Sequence, residues 1–221
     1  MYLITSDSHF FDAGVVKHER RVRFDSVQEH DGFVLKRWKK WLSCLKEDDT
    51  FYFLGDLCGR DMEPETFDLL EDIMVTSPCN KVIIHGNHDK KRGNQCDLLF
   101  DKIYDYPIYI SNRVVLSHYP CAVYDSQINV HGHTHGMKLC GNNHLCASIH
   151  VNNYNAVTEN AINSALGKID PWCTKFLYEP WAEDYQLTQP HSDAIAASNG
   201  KIDLSASRLS YFLQHSPNVS E

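Results

Sequence analysis

The sequence predicts an α/β fold in which a largely parallel sheet is followed by a second sheet of shorter strands. Two observations predict it: apolar segments alternate with amphipathic segments up to Ile84, and the units after Gly93 become shorter. The first pattern is typical of βαβ crossovers, which build a buried parallel sheet. In such a sheet, functional groups collect at the carboxyl ends of the strands.

The first half of the chain contains three apolar segments that we predict as strands, over residues 2–5, 50–54 and 81–84. Between the first two, apolar side chains recur mainly every three or four residues from Ser26 to Leu45, which predicts an amphipathic helix. Asp25 or Ser26 is its expected N-cap. A second helix is predicted from about Pro64, because proline is tolerated in a first helical turn.

The second half is predicted as shorter elements. We expect helices over residues 97–103 and 157–166, and strands over residues 108–110, 114–116, 127–130 and 145–151. These strands are expected to form a second sheet packed on the first. Residues 186–203 are polar, as in a linker, and Leu209, Phe212 and Leu213 indicate a last short helix. We therefore predict a main domain over residues 1–185, followed by a linker and helix over residues 186–221.

Charge and cysteine content restrict the class of protein. The 221 residues carry a formal net charge of −8, which argues against a general surface for nucleic acid or an anionic membrane. Eight cysteines occur without a CxxC pair, which predicts reduced thiols and a cytoplasmic location. No apolar run approaches the roughly 18 to 20 residues that cross a bilayer. We expect a small substrate as the partner; the oligomeric state stays open.

Oxygen and imidazole donors stand at the ends of predicted strands throughout the chain. These residues are Asp7, His9, Asp56, Asn87, His88, His118, His133 and His135. Each of them alone is more often a turn former or an ordinary histidine. Their recurrence after successive strands predicts one shared site. No cysteine is among them. The set therefore indicates a site for a first-row divalent ion such as Mn²⁺, Fe²⁺ or Zn²⁺, and not a thiolate site for a soft metal.

These donors fall into five blocks in a fixed order: Asp7-x-His9, Gly55-Asp56, Gly86-Asn87-His88-Asp89, Ser117-His118 and Gly132-His133-Thr134-His135. Together the blocks resemble the signature of the calcineurin-like metallophosphoesterases. Within that superfamily the chain is similar to the small bacterial and phage predicted phosphoesterases, over Met1 to about Asn155. The resemblance implies that the main domain is catalytic and is a four-layer α/β/β/α sandwich, with two mixed sheets flanked by helices.

The resemblance also implies a dinuclear metal centre. One divalent ion would be held by Asp7, His9 and His135. The other would be held by Asn87, His118 and His133. Asp56 would bridge the two ions, and His88 would face the substrate instead of binding metal. Manganese is the expected metal, with iron, zinc or nickel as alternatives.

The predicted function is that of a metal-dependent phosphoric ester hydrolase acting on a phosphodiester, a cyclic nucleotide or a phosphomonoester. Two cations would acidify a shared water, so that a hydroxide held by them would attack phosphorus while His88 would protonate the leaving oxygen as general acid. Asn87, Arg92 and Arg23 are candidate substrate contacts. Two alternatives stay open: a nuclease of the same superfamily acting on short or single-stranded nucleic acid, and a non-catalytic metal-binding scaffold.

Some positions depart from the family pattern or allow another site. Gly59 stands where protein Ser/Thr phosphatases carry a second aspartate that steadies the catalytic histidine, and this weakens a protein-phosphatase assignment. Asn152 stands where small phosphoesterases often carry a carboxylate. His85 and His131 are expected in the core or beside the ligands. The spacing of four further residues also allows a structural zinc site, although it is not a common zinc pattern: Cys140, His144, Cys146 and His150.

Overall fold

Two β-sheets form the centre of the part of the chain that the structure describes. The computed structural model describes residues 1–14, 24–59, 64–89, 96–135 and 143–169. The strands of the first sheet are β1 (Tyr2–Thr5), β2 (Thr50–Phe53), β3 (Asn80–Ile84), β4 (Lys102–Tyr104) and β9 (Val157–Thr158). Their order is β4-β3-β2-β1-β9. The first four are parallel, and β9 lies antiparallel to β1.

The second sheet has the order β5-β6-β7-β8. Its strands are β5 (Ile108–Ser111), β6 (Val114–Ser117), β7 (Ile128–His131) and β8 (His144–Cys146). β5 and β6 form an antiparallel pair, whereas β6, β7 and β8 run parallel to one another. Both sheets are therefore mixed, as predicted.

Helices α1 (Val27–Leu42) and α2 (Pro64–Thr76) pack on one face of the first sheet. Ser26 caps α1, because its hydroxyl oxygen accepts the backbone N–H of Glu29 at 3.1 Å. The buried ring of Trp38 lies 5.0 Å and 5.3 Å from the rings of Phe51 and Phe53 in β2, measured between centroids. Aromatic packing thus fixes α1 against the central strand of the sheet.

The opposite face of the first sheet packs against the second sheet. Ile4 of β1 belongs to this second apolar cluster, whereas its neighbour Leu3 belongs to the cluster under α1. This separation follows from the alternation of side chains along a strand. Leu116 of β6 and Val130 of β7 belong to the same cluster as Ile4, and α3 (Glu159–Leu166) adds Ile162. The predicted sandwich of two mixed sheets with flanking helices is confirmed.

Several predicted element boundaries are wrong. Residues 97–103 do not form one helix: a 3₁₀ turn over Cys96–Leu99 leads into β4, which pairs with the otherwise open edge of β3. The strand predicted over residues 145–151 ends at Cys146, because the Ser148 carbonyl then accepts the N–H groups of Val151 and Asn152 in a turn. Sheet pairing and turn formation decide these segments, and neither is visible in apolar periodicity.

The predicted helix over residues 157–166 is confirmed from Glu159 onwards, while its first two residues form β9. Residues 170–221 lie outside the described part, so the linker and last helix over residues 186–221 stay predictions. No helix in the described part of the chain is both long enough and apolar enough to cross a membrane.

Candidate metal centre

The predicted ligands lie in loops that follow the carboxyl ends of β1, β2, β3, β6 and β7. Backbone hydrogen bonds tie these loops together in pairs. Asp7 N–H donates to Gly55 O at 2.9 Å, and His9 N–H donates to Asp56 O at 3.1 Å. Gly132 N–H donates to His118 O at 2.9 Å. Residues far apart in sequence are therefore held next to one another by the main chain.

The backbone at these positions is left-handed. Five of the seven predicted metal ligands have φ between 43° and 64°: Asp7, His9, Asp56, His133 and His135. This region costs a residue other than glycine about 1–3 kcal/mol and is occupied where the surroundings enforce it, often at functional sites. The concentration of such residues in one place marks these loops as a site.

The first group of donors consists of Asp7, His9 and His135, whose ligand atoms lie within 4.8 Å of one another. The two imidazole Nε2 atoms are 3.2 Å apart, and His135 Nε2 is 3.7 Å from Asp7 Oδ1. Asp7 is completely buried and accepts the Ser6 hydroxyl at 2.6 Å. It also accepts the backbone N–H of His133 at 3.1 Å. The carboxylate is therefore held in place by hydrogen bonds within the protein.

The second group consists of Asp56, His118 and His133, also within 4.8 Å. His118 Nε2 lies 3.4 Å from Asp56 Oδ2 and 3.1 Å from Asn87 Oδ1. His118 Nδ1–H donates to Leu54 O at 2.7 Å, which turns Nε2 toward the other donors. Asp56 Oδ2 is also 3.7 Å from His9 Nε2, so this carboxylate faces both groups.

The charges of the site favour a cation. Burial lowers the pKa of His118, but the hydrogen bond to Asp56 and the charges of Asp7 and Asp56 outweigh it and raise the pKa to about 9. The pKa of Asp56 is lowered despite its burial, because His118 and His9 favour the carboxylate. A positive charge is thus stabilised between these side chains, and their oxygen and imidazole donors fit first-row divalent ions.

Gly86 and Asp89 hold the loop after β3 against this centre. A Cβ at Gly86 would lie 2.7 Å from His118 Cε1, so only glycine lets the backbone pass this ring. The Asp89 carboxylate accepts the N–H groups of Asp56 at 2.7 Å, Leu57 at 3.0 Å and Gly86 at 2.7 Å. Asp89 therefore joins the loops after β2 and β3, a role that the sequence analysis did not assign.

His88 lies beside the centre instead of within it. Its ring is half-buried and packs edge-on against His9, with the centroids 5.0 Å apart. Its backbone N–H donates to Asp56 Oδ1 at 2.8 Å. One His88 nitrogen also lies within 4.8 Å of His9 and of Asp12, a carboxylate absent from the predicted site. The ring is thus placed at the edge of the donor groups.

Other predicted residues lie elsewhere. Arg23 and Arg92 are outside the described residues, so their substrate contacts stay predictions. His85 is only partly buried and pairs with Asp97 at 2.7 Å and Asp105 at 3.0 Å. His131 is buried in the core, one of the two places predicted for it, and its pKa is lowered to about 4, chiefly by burial.

The spacing that allowed a structural zinc site is not supported by the described residues. His144 contacts Asn143 Oδ1 and Cys121 O, each at 3.1 Å, whereas His150 Nε2 lies 3.3 Å from His30 Nε2. Cys140 lies outside the described residues. His144 and His150 are thus directed to different partners, and among the described residues they share no cluster of potential metal donors.

A second buried polar cluster, which the sequence analysis missed, packs behind the first group. Asp31 accepts the N–H of Phe11 at 2.9 Å and the Nδ1–H of His30 at 2.8 Å. The His150 ring stacks on His135 at a centroid distance of 5.8 Å. Burial lowers the pKa of His150 to about 2, with further contributions from His30 and His135. His30 precedes Val34 and Trp38 at four-residue intervals on the buried face of α1, and this spacing could have predicted its burial.

Asp31→Ala is expected to destabilise the fold, because it leaves the Phe11 N–H and His30 buried without their acceptor. Each unsatisfied buried donor costs about 1–3 kcal/mol. Urea unfolding monitored by circular dichroism measures the loss as a lower midpoint. Asp25→Ala, at an exposed position before α1, is the control. Equal midpoints for the two variants would contradict the structural role of Asp31.

Comparison with known proteins agrees with this fold and donor set. The profile of the calcineurin-like phosphoesterase family matches residues 2–215, and the chain belongs to that family. An uncharacterized protein of Methanocaldococcus jannaschii is 30% identical over 143 residues, which cover 63% of this chain and 71% of that relative. The resemblance drawn from the five blocks is thus confirmed.

Two solved structures are similar to this chain. A protein of unknown function from Aquifex aeolicus superposes with a TM-score of 0.57 at 25% identity, covering 74% of this chain and 98% of that one. A nuclease from Pseudomonas putida gives a TM-score of 0.46 at 22% identity over 61% of each chain.

Proposed function

We propose that the protein is a dinuclear metal-dependent phosphoesterase that hydrolyses a small phosphate ester. The observation that carries this proposal is the convergence of two donor groups, each within 4.8 Å, with Asp56 facing both. Membership of the calcineurin-like phosphoesterase family supports the reaction class. The six cysteines of the described residues are thiols, which fits a cytoplasmic enzyme.

Each ion would have its own ligands in this proposal. Asp7, His9 and His135 would hold one ion. Asn87, His118 and His133 would hold the other. Asp56 would bridge the pair, since its Oδ2 lies 3.4 Å from His118 Nε2 and 3.7 Å from His9 Nε2. Manganese is the expected metal, and iron, zinc or nickel suit the same donors. Two bound divalent cations would supply Lewis acidity that lowers the pKa of water and neutralises charge on the phosphoryl group.

The chain's own residues would bind the ester and move the proton. His88 would donate a ring N–H to the leaving oxygen, because its half-buried ring lies at the edge of the donor groups, where a substrate can reach it. The Oδ1 of Asn87 is directed toward His118, so its amide nitrogen is the group that would bind a phosphoryl oxygen. Arg23 and Arg92 would add cationic contacts to the phosphate.

The test is turnover of p-nitrophenyl phosphate and bis-p-nitrophenyl phosphate by metal-stripped and reconstituted protein. We expect activity with Mn²⁺, its loss after chelation, and its recovery when Mn²⁺ is restored. Activity on one of the two esters separates monoesterase from diesterase. Protein inert with manganese, iron, zinc and nickel on both esters would instead indicate a scaffold, and cleavage of single-stranded oligonucleotides at low salt would indicate a nuclease.

A further inference from the structure

Asp12 occupies the space that a side chain at position 59 would need. A Cβ added to Gly59 would lie 2.5 Å from both the backbone N and the Cα of Asp12. The two segments run side by side, since Phe10 N–H donates to Leu57 O at 2.9 Å and Gly59 N–H donates to Phe10 O. A carboxylate at position 59, as in the protein Ser/Thr phosphatases, is therefore sterically excluded from this chain.

The Asp12 carboxylate lies next to the histidine that such a residue would serve. One of its oxygens, one His88 nitrogen and one His9 nitrogen lie within 4.8 Å of one another. Oδ1 accepts the Gly14 N–H at 2.7 Å, and Oδ2 is 3.6 Å from His9 Nδ1. The backbone thus fixes one oxygen and leaves the other facing the two imidazoles.

A carboxylate in this place can orient an imidazole ring. Its oxygens accept hydrogen bonds from imidazole N–H groups and can hold a ring in one orientation.

We propose that Asp12 is a positioning residue for His88 and supplies, from the loop after β1, the carboxylate that Gly59 cannot. The inference rests on the proposed phosphoesterase function. The His88 ring has to present one N–H to the leaving oxygen, and Asp12 on the other side fixes the direction of that N–H. In the reaction the proton passes from His88 to the leaving oxygen, and Asp12 only orients the ring.

Two alternative roles of Asp12 predict different metal contents. If Asp12 served mainly to orient His9 through Nδ1, its loss would weaken metal binding, because His9 is a proposed ligand. If His9, Asp12 and His88 held a third cation, the His9 ring would have to bind two ions, with Nε2 already 3.2 Å from His135 Nε2. Metal content therefore separates both uses from the positioning of His88.

The experiment uses the full chain loaded with Mn²⁺ and the variant Asp12→Asn. We measure the metal-to-protein ratio by mass spectrometry, and kcat for diesters whose leaving groups range from p-nitrophenol to phenol. The ratio is expected to match the wild type. The kcat for the phenol ester is expected to fall by about 10- to 100-fold, less than the roughly 10²- to 10⁴-fold that a general acid supplies, while the p-nitrophenol ester changes little. Asp72→Asn, at an exposed position on α2, is the matched control.

Two further measurements complete the test. The substitution Asp12→Asn is expected to add almost nothing to His88→Ala, since both act through the same ring. In metal-free protein, the rate at which diethyl pyrocarbonate labels His88 is expected to change in Asp12→Asn, whereas the rate at His85 stays the same.

A lower metal ratio in Asp12→Asn, an equal loss of kcat for all leaving groups, or additive effects with His88→Ala would overturn the positioning role while leaving the phosphoesterase function intact. Wild-type protein inert on every ester would overturn the proposed function and this inference together. A wild-type protein with activity and an Asp12→Asn variant without any change would overturn the inference alone.

Discussion

Asp56→Asn is expected to lower kcat by on the order of 10³-fold or more, because the loss of the proposed bridging carboxylate would remove several kcal/mol of transition-state charge stabilisation. The buried Asp56 carboxylate faces both donor groups and also accepts the His88 N–H at 2.8 Å. An amide of the same size keeps an oxygen for one partner but carries no charge. The metal-to-protein ratio is therefore expected to fall together with activity, because both ions are expected to bind more weakly.

His135→Ala is expected to differ from Asp56→Asn in its metal content. His135 belongs to the first group alone, so its removal is expected to empty one site and leave the other. Asp72→Asn controls for the loss of a negative charge, and circular dichroism controls for folding. An Asp56→Asn protein that keeps the wild-type metal ratio and kcat would show that this carboxylate does not bridge the ions.

His88→Ala is expected to leave the metal ratio unchanged and to lower kcat by roughly 10²- to 10⁴-fold for esters with poor leaving groups. A poor leaving group needs a proton as its bond breaks, whereas p-nitrophenolate departs without one. The loss should therefore shrink as the leaving group becomes more acidic. A series of aryl diesters measured at saturating Mn²⁺ gives this dependence directly.

His85→Ala is the control for His88→Ala. Both histidines lie in the loop after β3. His85, however, pairs with Asp97 and Asp105 and belongs to neither group of donors. We expect it to behave as the wild type in both measurements. If His88→Ala lowered kcat equally for every leaving group, the histidine would not be the proton donor.

The candidate site was predictable from sequence because its donors stand where parallel strands end. Asp7, Asp56 and Asn87 each follow an apolar strand, and strand ends of one sheet meet at one edge. The grouping of the donors was implied by the family resemblance alone, and the structure adds the distances. The contacts of Asp12 and Asp89 were not predicted, because they depend on which loops lie side by side, and no local sequence pattern shows this.

The fold was less predictable in its second half. The segment after Cys96 has apolar side chains that fit a helix, yet β3 offers an open edge, and β4 forms there by pairing with it. His30 and His150 form a buried pair although they are 120 positions apart in sequence. The periodicity of α1 therefore predicts that His30 faces the core, but it does not predict which residue His30 contacts.

The left-handed backbone at five of the proposed ligands also limits which amino acids can replace them. Aspartate, asparagine and histidine are several-fold enriched in that conformation, whereas branched and bulky side chains are strongly disfavoured. Exchange among the tolerated residues keeps oxygen and imidazole donors, which suit the same range of hard and borderline cations. The conformation of the main chain therefore restricts the types of donor atom that substitutions can bring to the proposed metal centre.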